Sequence, residues 1–340
     1  MSAGYRVGVT ADVVRQDGGS VHGDLGLARL GEHRIDWHVL PRDADPLPID
    51  DIVELDAILA MGHTRFDAET VERTPRLKHI ARFGAGYETI DLADCTRAGV
   101  VVTNTPTAIQ GPLGVAAVAM ILGLAHQIVP KDRMTRESDW GRREAFRGTG
   151  LVGRTLGIVG FGSIGSEIAR LLQPFGLRIL GSNRSGRSEA ADRLGVELVD
   201  RETILAESDV LVLCATVTPE TTGWLDAAAI ERMKPTALVV NIGRGKLIVT
   251  DDLTAALQDG RLGGAALDVF DPEPLPADHP LLRLDNVLLS PHAVAWTDQF
   301  TDAVAGAAID SIIDTAQGRR AASVLNPEVF ETEAWTRKQS

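Results

Sequence analysis

Three short segments of this chain set ionisable side chains among glycine, proline or apolar neighbours. They are Asn241-Ile242-Gly243-Arg244-Gly245, Leu267-Asp268-Val269-Phe270-Asp271-Pro272-Glu273-Pro274 and Leu289-Ser290-Pro291-His292-Ala293-Val294-Ala295-Trp296-Thr297. A guanidinium is a rigid fork of donors that suits a planar pair of oxygens, such as a carboxylate. A histidine beside a carboxylate can hold or release a proton near neutral pH. Taken singly, each has a bland account: Arg244 as a surface cation, Glu273 as part of a proline turn, His292 as a structural ring. A fourth segment changes the weighting. Gly160-Phe161-Gly162-Ser163-Ile164-Gly165 fits G-x-G-x-x-G and precedes all three. In a strand–turn–helix frame Gly160 permits the tight turn, Gly162 lets backbone approach a pyrophosphate and Gly165 packs helix on strand. The helix start then turns unpaired N–H groups and a positive dipole end toward the phosphates.

The next strand end decides which dinucleotide fits. An NAD site usually places Asp or Glu there to bind the ribose 2′-hydroxyl. Here the chain reads Gly181-Ser182-Asn183-Arg184-Ser185-Gly186-Arg187, with Asn183 at the carboxylate's place. A 2′-phosphate would be repelled by a carboxylate and bound by Arg184 with Ser185. The segment predicts NADP(H) as the preferred cofactor, NAD(H) remaining possible, against the alternative of a merely solvated loop.

The elements that must hold these groups follow from the rhythm of the sequence. Short β-branched runs alternate with helical patterns, the signature of parallel βαβ units. Expected strands are 6–10, 37–40, 57–60, 79–82 and 100–103 in the first hundred residues. After Thr155 come 155–159, 178–181, 196–198, 210–213, 237–241, 265–268 and 287–289. The helix after the glycine turn should bury Ile164, Ile168, Leu171, Leu172 and Phe175, and Gly176 should stop it. A long apolar helix, 113–128, lies between the two series, followed by an arginine-rich stretch to Gly150 without periodicity. A last helix spans 298–317, then a polar tail. The reading is α/β, with two doubly wound parallel-sheet domains.

Composition narrows the class further. The 340 residues carry 47 acidic and 34 basic side chains, a net charge of −13, and are 44% hydrophobic. A globular chain is expected, and no basic surplus exists to hold nucleic acid. The apolar stretch 113–125 is too short to span a bilayer and ends at His126, and the N-terminus lacks a signal-peptide pattern. Cys95 and Cys214 sit in apolar runs and read as buried thiols of a reducing compartment, which favours a cytoplasmic location. No metal-ligand spacing is present.

In order, GFGSIG, NIGRGKLI, ALDVFDPEP and SPHAVAWT resemble the D-isomer-specific 2-hydroxyacid dehydrogenase family. HIARFGAGYETID resembles its substrate loop, VVTNTP its first domain crossover and GRTLGIVGFGSIG its cofactor entry. The resemblance implies a flavodoxin-like substrate domain, 1–104 with 296–340, and a Rossmann-like cofactor domain, 105–295. It also implies a homodimer built through the long helix and an arm, about 106–150, in which Trp140 reaches toward the partner. Carried over, Arg244 binds the substrate carboxylate and carbonyl oxygen. His292 donates a proton to that oxygen, and Glu273 pairs with His292 and favours its charged form. Asp268 orients the nicotinamide amide. Ser163, Ile164, Thr216 and Ile242 line the dinucleotide, and the backbone N–H groups of Gly84, Ala85 and Gly86 hold the substrate carboxylate.

Departures from the family's pattern bear on which acid is taken. Ile109, Pro112 and Val115 replace Asn, Ser and Glu at the start of the long helix, and Thr216 replaces a proline. Val294, Ala295 and Trp296 stand where small residues usually follow the histidine. Pocket walls are expected from Gly62-His63, Phe83 to Tyr87, and Trp296. The implied activity is NADP(H)-dependent reduction of a small 2-oxo acid such as glyoxylate or hydroxypyruvate. A phosphoglycerate dehydrogenase would need more positive charge for its phosphate, and a formate dehydrogenase usually carries Gln in place of Glu273. A dinucleotide-sensing corepressor would have no reason to keep Arg244, Glu273 and His292 together.

Overall fold

The structure, a computed structural model, describes residues 4–14, 20, 23–41, 44–61 and 64–339. The expected pocket residues Gly62 and His63 fall outside them. The chain divides into two units, Met1–Pro112 with Trp296–Ser340, and Leu113–Ala295. The division falls inside the long helix rather than ahead of it at residue 104.

In the first unit five strands, β1 (Tyr5–Val9), β2 (Ile35–Val39), β3 (Ala57–Ala60), β4 (His79–Arg82) and β5 (Val101–Thr103), lie in the order β2-β1-β3-β4-β5. The pairings of these strands with one another are parallel. This is the flavodoxin-like order. All four β3 residues are buried, as expected for a strand covered on both faces. The helix Asp298–Ala316 belongs to this unit, and there Ser311 accepts a hydrogen bond from Thr103 Oγ1 at 3.1 Å. The expected polar tail is ordered instead. Asn326 is fully buried; its Oδ1 accepts from Val102 N at 2.9 Å and its Nδ2 donates to Val100 O at 2.9 Å. One buried amide thus ties the tail to β5, and a helix, Glu333–Gln339, follows.

The second unit holds seven parallel strands. They are β6 (Thr155–Val159), β7 (Arg178–Ser182), β8 (Glu197–Leu198), β9 (Val210–Leu213), β10 (Leu238–Asn241), β11 (Gly264–Leu267) and β12 (Val287–Leu289), in the order β12-β11-β10-β9-β6-β7-β8. Chain order reverses between β6 and β9, the switch point at which doubly wound sheets bind ligands beyond their strands' carboxyl ends. Every residue of β6, β9, β10 and β11 is buried.

Three expectations about helices are corrected. The long helix runs from Pro106 to Ala125, because a proline fits the first helical turn, where its missing N–H costs nothing. At twenty residues and a mean hydropathy of 1.9 it has the length and composition to cross a membrane, so its length does not exclude one. Leu113, Ala117, Met120, Ile121 and Leu124 are nonetheless buried within the protein. Gln127, at φ 56°, ends that run, and a second helix, Ile128–Arg136, occupies the stretch expected to be aperiodic. Its polar face is supported by an Arg136–Asp132 pair of 2.7 Å, the i,i+4 spacing that stabilises exposed helices. Phe175, expected inside, is 37% exposed, because the helix Ser163–Leu172 tightens into a 3-10 turn before Gly176.

Candidate active site

The glycine turn follows β6 and opens the helix Ser163–Leu172. Gly160 adopts φ 86°, and a Cβ there would fall 2.5 Å from the Ala215 backbone, so only glycine fits. A Cβ on Gly165 would come within 3.0 Å of Ile158 and 3.3 Å of Gly160 O. Over Gly162 the space is open, with nothing nearer than Gly160 O at 3.9 Å. That is the cradle a pyrophosphate requires at a helix start, and Ser163 is exposed beside it. Beneath lies Cys214, half-buried rather than fully buried. Its thiol donates to Val159 O and Gly160 O at 3.4 and 3.3 Å, and burial pushes it up to about 12. It is therefore an inert part of the floor.

At the end of β7 the turn is closed by its own side chains. Asn183 Nδ2 donates to Arg187 O at 3.0 Å, and Ser185 Oγ donates to the same carbonyl at 2.9 Å. Asn183 and Ser185 therefore shape the loop. Arg184 and Arg187 are exposed on it, and among the described residues neither forms an ion pair. Thr216 is exposed after β9, and its carbonyl accepts from Thr221 Oγ1 at 2.8 Å. Ile242 is buried, its N–H bound to Leu213 O at 3.1 Å.

The three ionisable segments all follow strand ends on the same side of this sheet. Arg244, at the end of β10, is half-buried, and its guanidinium donates to Gly243 O at 2.7 Å. Asp268 follows β11 and is only 4% exposed. Its Oδ1 accepts the N–H groups of Ala293 and Val294 at 2.9 and 3.0 Å. Burial raises its pKa; Ser290's hydroxyl, those two N–H groups and the charge of His292 oppose the rise. The carboxylate expected to orient a nicotinamide amide is thus already engaged in folding the loop after β12. His292 sits on that loop at φ 54°, in the left-handed region that few non-glycine residues adopt. Its own N–H, bound to Asp268 O at 2.8 Å, helps to hold it there. The His292 ring meets Glu273 with Nδ1 to Oε1 at 2.6 Å, and Glu273 Oε2 accepts Phe270 N–H at 3.3 Å. With Nδ1 so engaged, Nε2 is the ring nitrogen left to serve a reacting oxygen.

In the first unit the loop after β4 carries Gly84, Ala85 and Gly86. Gly84 N–H, expected to meet a substrate carboxylate, donates to Thr105 Oγ1 at 3.1 Å, and Gly84 O accepts from Thr105 N at 3.0 Å. Ala85 O accepts from Asn104 Nδ2 at 2.7 Å. Only the N–H groups of Ala85 and Gly86 meet no acceptor among the described residues. Thr105, Asn104 and Ser290 were not singled out from the sequence, and the polar pair closing VVTNTP was the available signal.

The family model for "D-isomer specific 2-hydroxyacid dehydrogenase, NAD binding domain" matches residues 118–294. The chain belongs to the D-isomer-specific 2-hydroxyacid dehydrogenase family. It is 37% identical over 289 residues to a glyoxylate reductase of Pyrococcus furiosus, covering 83% of this chain and 86% of that one. With a glyoxylate reductase of Korarchaeum cryptofilum it shares 36% over 313 residues, 91% and 94% of the two chains. Among solved structures, a Thermus thermophilus protein superposes with a TM-score of 0.83 at 30% identity, covering 94% of this chain and 99% of that one. An NADPH-dependent glyoxylate/hydroxypyruvate reductase from Sinorhizobium meliloti superposes at 0.80 and 27% identity, covering 96% and 98%. As a dehydrogenase of this family the chain is an oxidoreductase with a nicotinamide dinucleotide, and the open cradle at Gly162 with the free helix start fits that group.

Proposed function

We propose that this dehydrogenase reduces small 2-oxo acids of the glyoxylate and hydroxypyruvate type with NADP(H), and that Arg244, Glu273 and His292 are its catalytic residues. The observation that carries the reading is the 2.6 Å contact of His292 Nδ1 with Glu273, in the same unit as the open glycine cradle. When bound, the dinucleotide supplies the hydride. Arg244 takes the planar carboxylate and polarises the neighbouring carbonyl; in the first unit, the Ala85 and Gly86 N–H groups are donors of the kind a carboxylate accepts. As a C–H bond forms at the carbonyl carbon, His292 gives its Nε2 proton to the carbonyl oxygen, leaving a neutral ring and a 2-hydroxy acid. Glu273 holds the ring by Nδ1 and so fixes the direction in which Nε2 points.

Preference for NADP(H) is supported by the exposed Arg184 and Arg187 on a turn without a carboxylate, NAD(H) being accepted less well. The glyoxylate reductases and the glyoxylate/hydroxypyruvate reductase that the chain resembles favour the same substrates. A homodimer is supported by the exposed apolar side chains of the long helix and its arm, with Val115 58%, Ile128 55% and Trp140 60% exposed. Unpaired cysteines favour the cytoplasm. The test is oxidation of NADPH and NADH with glyoxylate, hydroxypyruvate, pyruvate and phenylpyruvate. Turnover is expected with glyoxylate and hydroxypyruvate, NADPH exceeding NADH about tenfold or more in kcat/KM, the worth of one lost charged contact. Tight NADPH binding without turnover of any acid would overturn it.

A further inference from the structure

The reading of Arg244 as the substrate clamp leaves open what holds that side chain in place. Arg244 itself is in extended backbone, φ −145° and ψ 146°, and opens a 3-10 turn, Gly245–Leu247, whose Leu247 N–H its carbonyl accepts at 3.2 Å. One residue spans the turn. Asn241, the last residue of β10, is fully buried and uses both ends of its amide on it. Oδ1 accepts Gly243 N–H at 3.1 Å, and Nδ2 donates to Arg244 O at 2.9 Å. Because one end must accept and the other donate, the amide has a single productive orientation and no carboxylate or aliphatic side chain can replace both bonds.

The frame around this clip is stiff. Asn241 is paired in register with Leu213 on one side and Leu267 on the other, and its carbonyl accepts Asp268 N–H at 3.0 Å. A Cβ at Gly243 would lie 3.0 Å from Ala215 O, so the turn rests on the loop after β9. A Cβ at Gly245 would fall 1.8 Å from Phe270 O, so the turn also abuts the segment that carries Glu273. A shift of the Arg244 backbone is blocked on both sides and fixed from below by the amide.

We infer that Asn241 is a positioning residue for the reaction: its buried amide sets the place of Arg244, and through it the register of the substrate carboxylate. The inference rests on the proposed role of Arg244. It acts on substrate and not on the dinucleotide, whose cradle after β6 shares no hydrogen bond with this amide.

The experiment is a double-mutant cycle with Asn241→Asp and Arg244→Lys, with Asn241→Ala as a second variant should the buried charge unfold the protein. KM for glyoxylate, kcat and NADPH affinity by fluorescence are read for each. Asn241→Asp is expected to raise KM on the order of tenfold to a hundredfold, since misplacement by about an ångström has such consequences, with NADPH affinity unchanged. In the Arg244→Lys background, where the fork is gone, the same change should cost little more. Such non-additivity separates positioning from general damage, which adds across both backgrounds. If both Asn241 variants leave KM unchanged, or their effects simply add to that of Arg244→Lys, the clip is overturned. If Arg244→Lys is itself silent, the catalytic reading of Arg244 falls, and the clip with it.

Discussion

The carboxyl edges of the two parallel sheets solve different problems with similar parts. In the first unit, Asn104 and Thr105 pin the loop after β4 by its backbone and leave two glycine-loop N–H groups outward. In the second, Asn241 and Asp268 pin the turns after β10 and β12 and leave a guanidinium and an imidazole outward. Short polar side chains at strand ends hold the scaffold in both. What is presented differs: main-chain donors, which do not titrate, against side chains able to move charge and protons. Binding can be built from either, whereas chemistry needs the second.

The two histidines sharpen the contrast. His79 opens β4, is fully buried, and its Nε2 lies 2.8 Å from Thr103 Oγ1. Thr103 donates onward to Ser311 and Ser311 to Ala308 O at 2.7 Å, so the run of donors assigns the proton to His79 Nε2. Nδ1 is then a bare lone pair without a partner, cheaper to bury than an orphaned N–H, and burial lowers the ring's pKa to about 3. His292, with 49% of its side chain exposed and a carboxylate on Nδ1, is the ring placed to work.

The largest expected effect separates the edges outright. His292→Gln should lower kcat about 10²–10⁴-fold, the usual worth of a general acid, while NADPH affinity by fluorescence stays within about twofold. Retained turnover would place the proton donor elsewhere and dissolve the contrast. Next, Thr105→Val removes the acceptor of Gly84 N–H and frees the loop that presents Ala85 and Gly86. It should raise KM for the 2-oxo acid about tenfold with kcat nearly kept, the pattern of lost binding rather than lost chemistry. A fall in kcat alone would show that the first unit's edge takes part in the chemical step.

The last expectation concerns stability. Between pH 6.5 and 3 the unfolded chain protonates His79 and the folded one does not, so stability falls as pH drops through that window. In His79→Gln this contribution is absent. The gap in unfolding free energy from urea titration between wild type and variant should therefore shift in the variant's favour with falling pH, by on the order of a few kcal/mol over the window. Parallel pH profiles would mean that the ring is charged in the fold.

Strands were legible wherever apolar runs met glycine or proline. The runs 57–60, 79–82, 155–159, 210–213 and 287–289 match their strands residue for residue, because buried parallel strands leave near-continuous apolar text. Polar helices such as Ile128–Arg136 were not legible, since exposed ion pairs rather than an apolar stripe support them. Neither was the C-terminal segment, whose order depends on one buried amide at Asn326. In the site, residue types announced Arg244, Glu273 and His292. The partners of Gly84 N–H and of Asp268 were not announced, because a hydrogen bond to backbone leaves no periodic trace.

One consequence concerns how the chain comes off the ribosome. The first unit is written in two pieces, with the whole of Leu113–Ala295 between them. β5 gains its bonds to Ser311 and Asn326 only after more than two hundred further residues have been made. The interrupted unit must wait half-finished while the uninterrupted one can close as soon as its last strand emerges. The order of synthesis thus favours completing the dinucleotide half before the interrupted one.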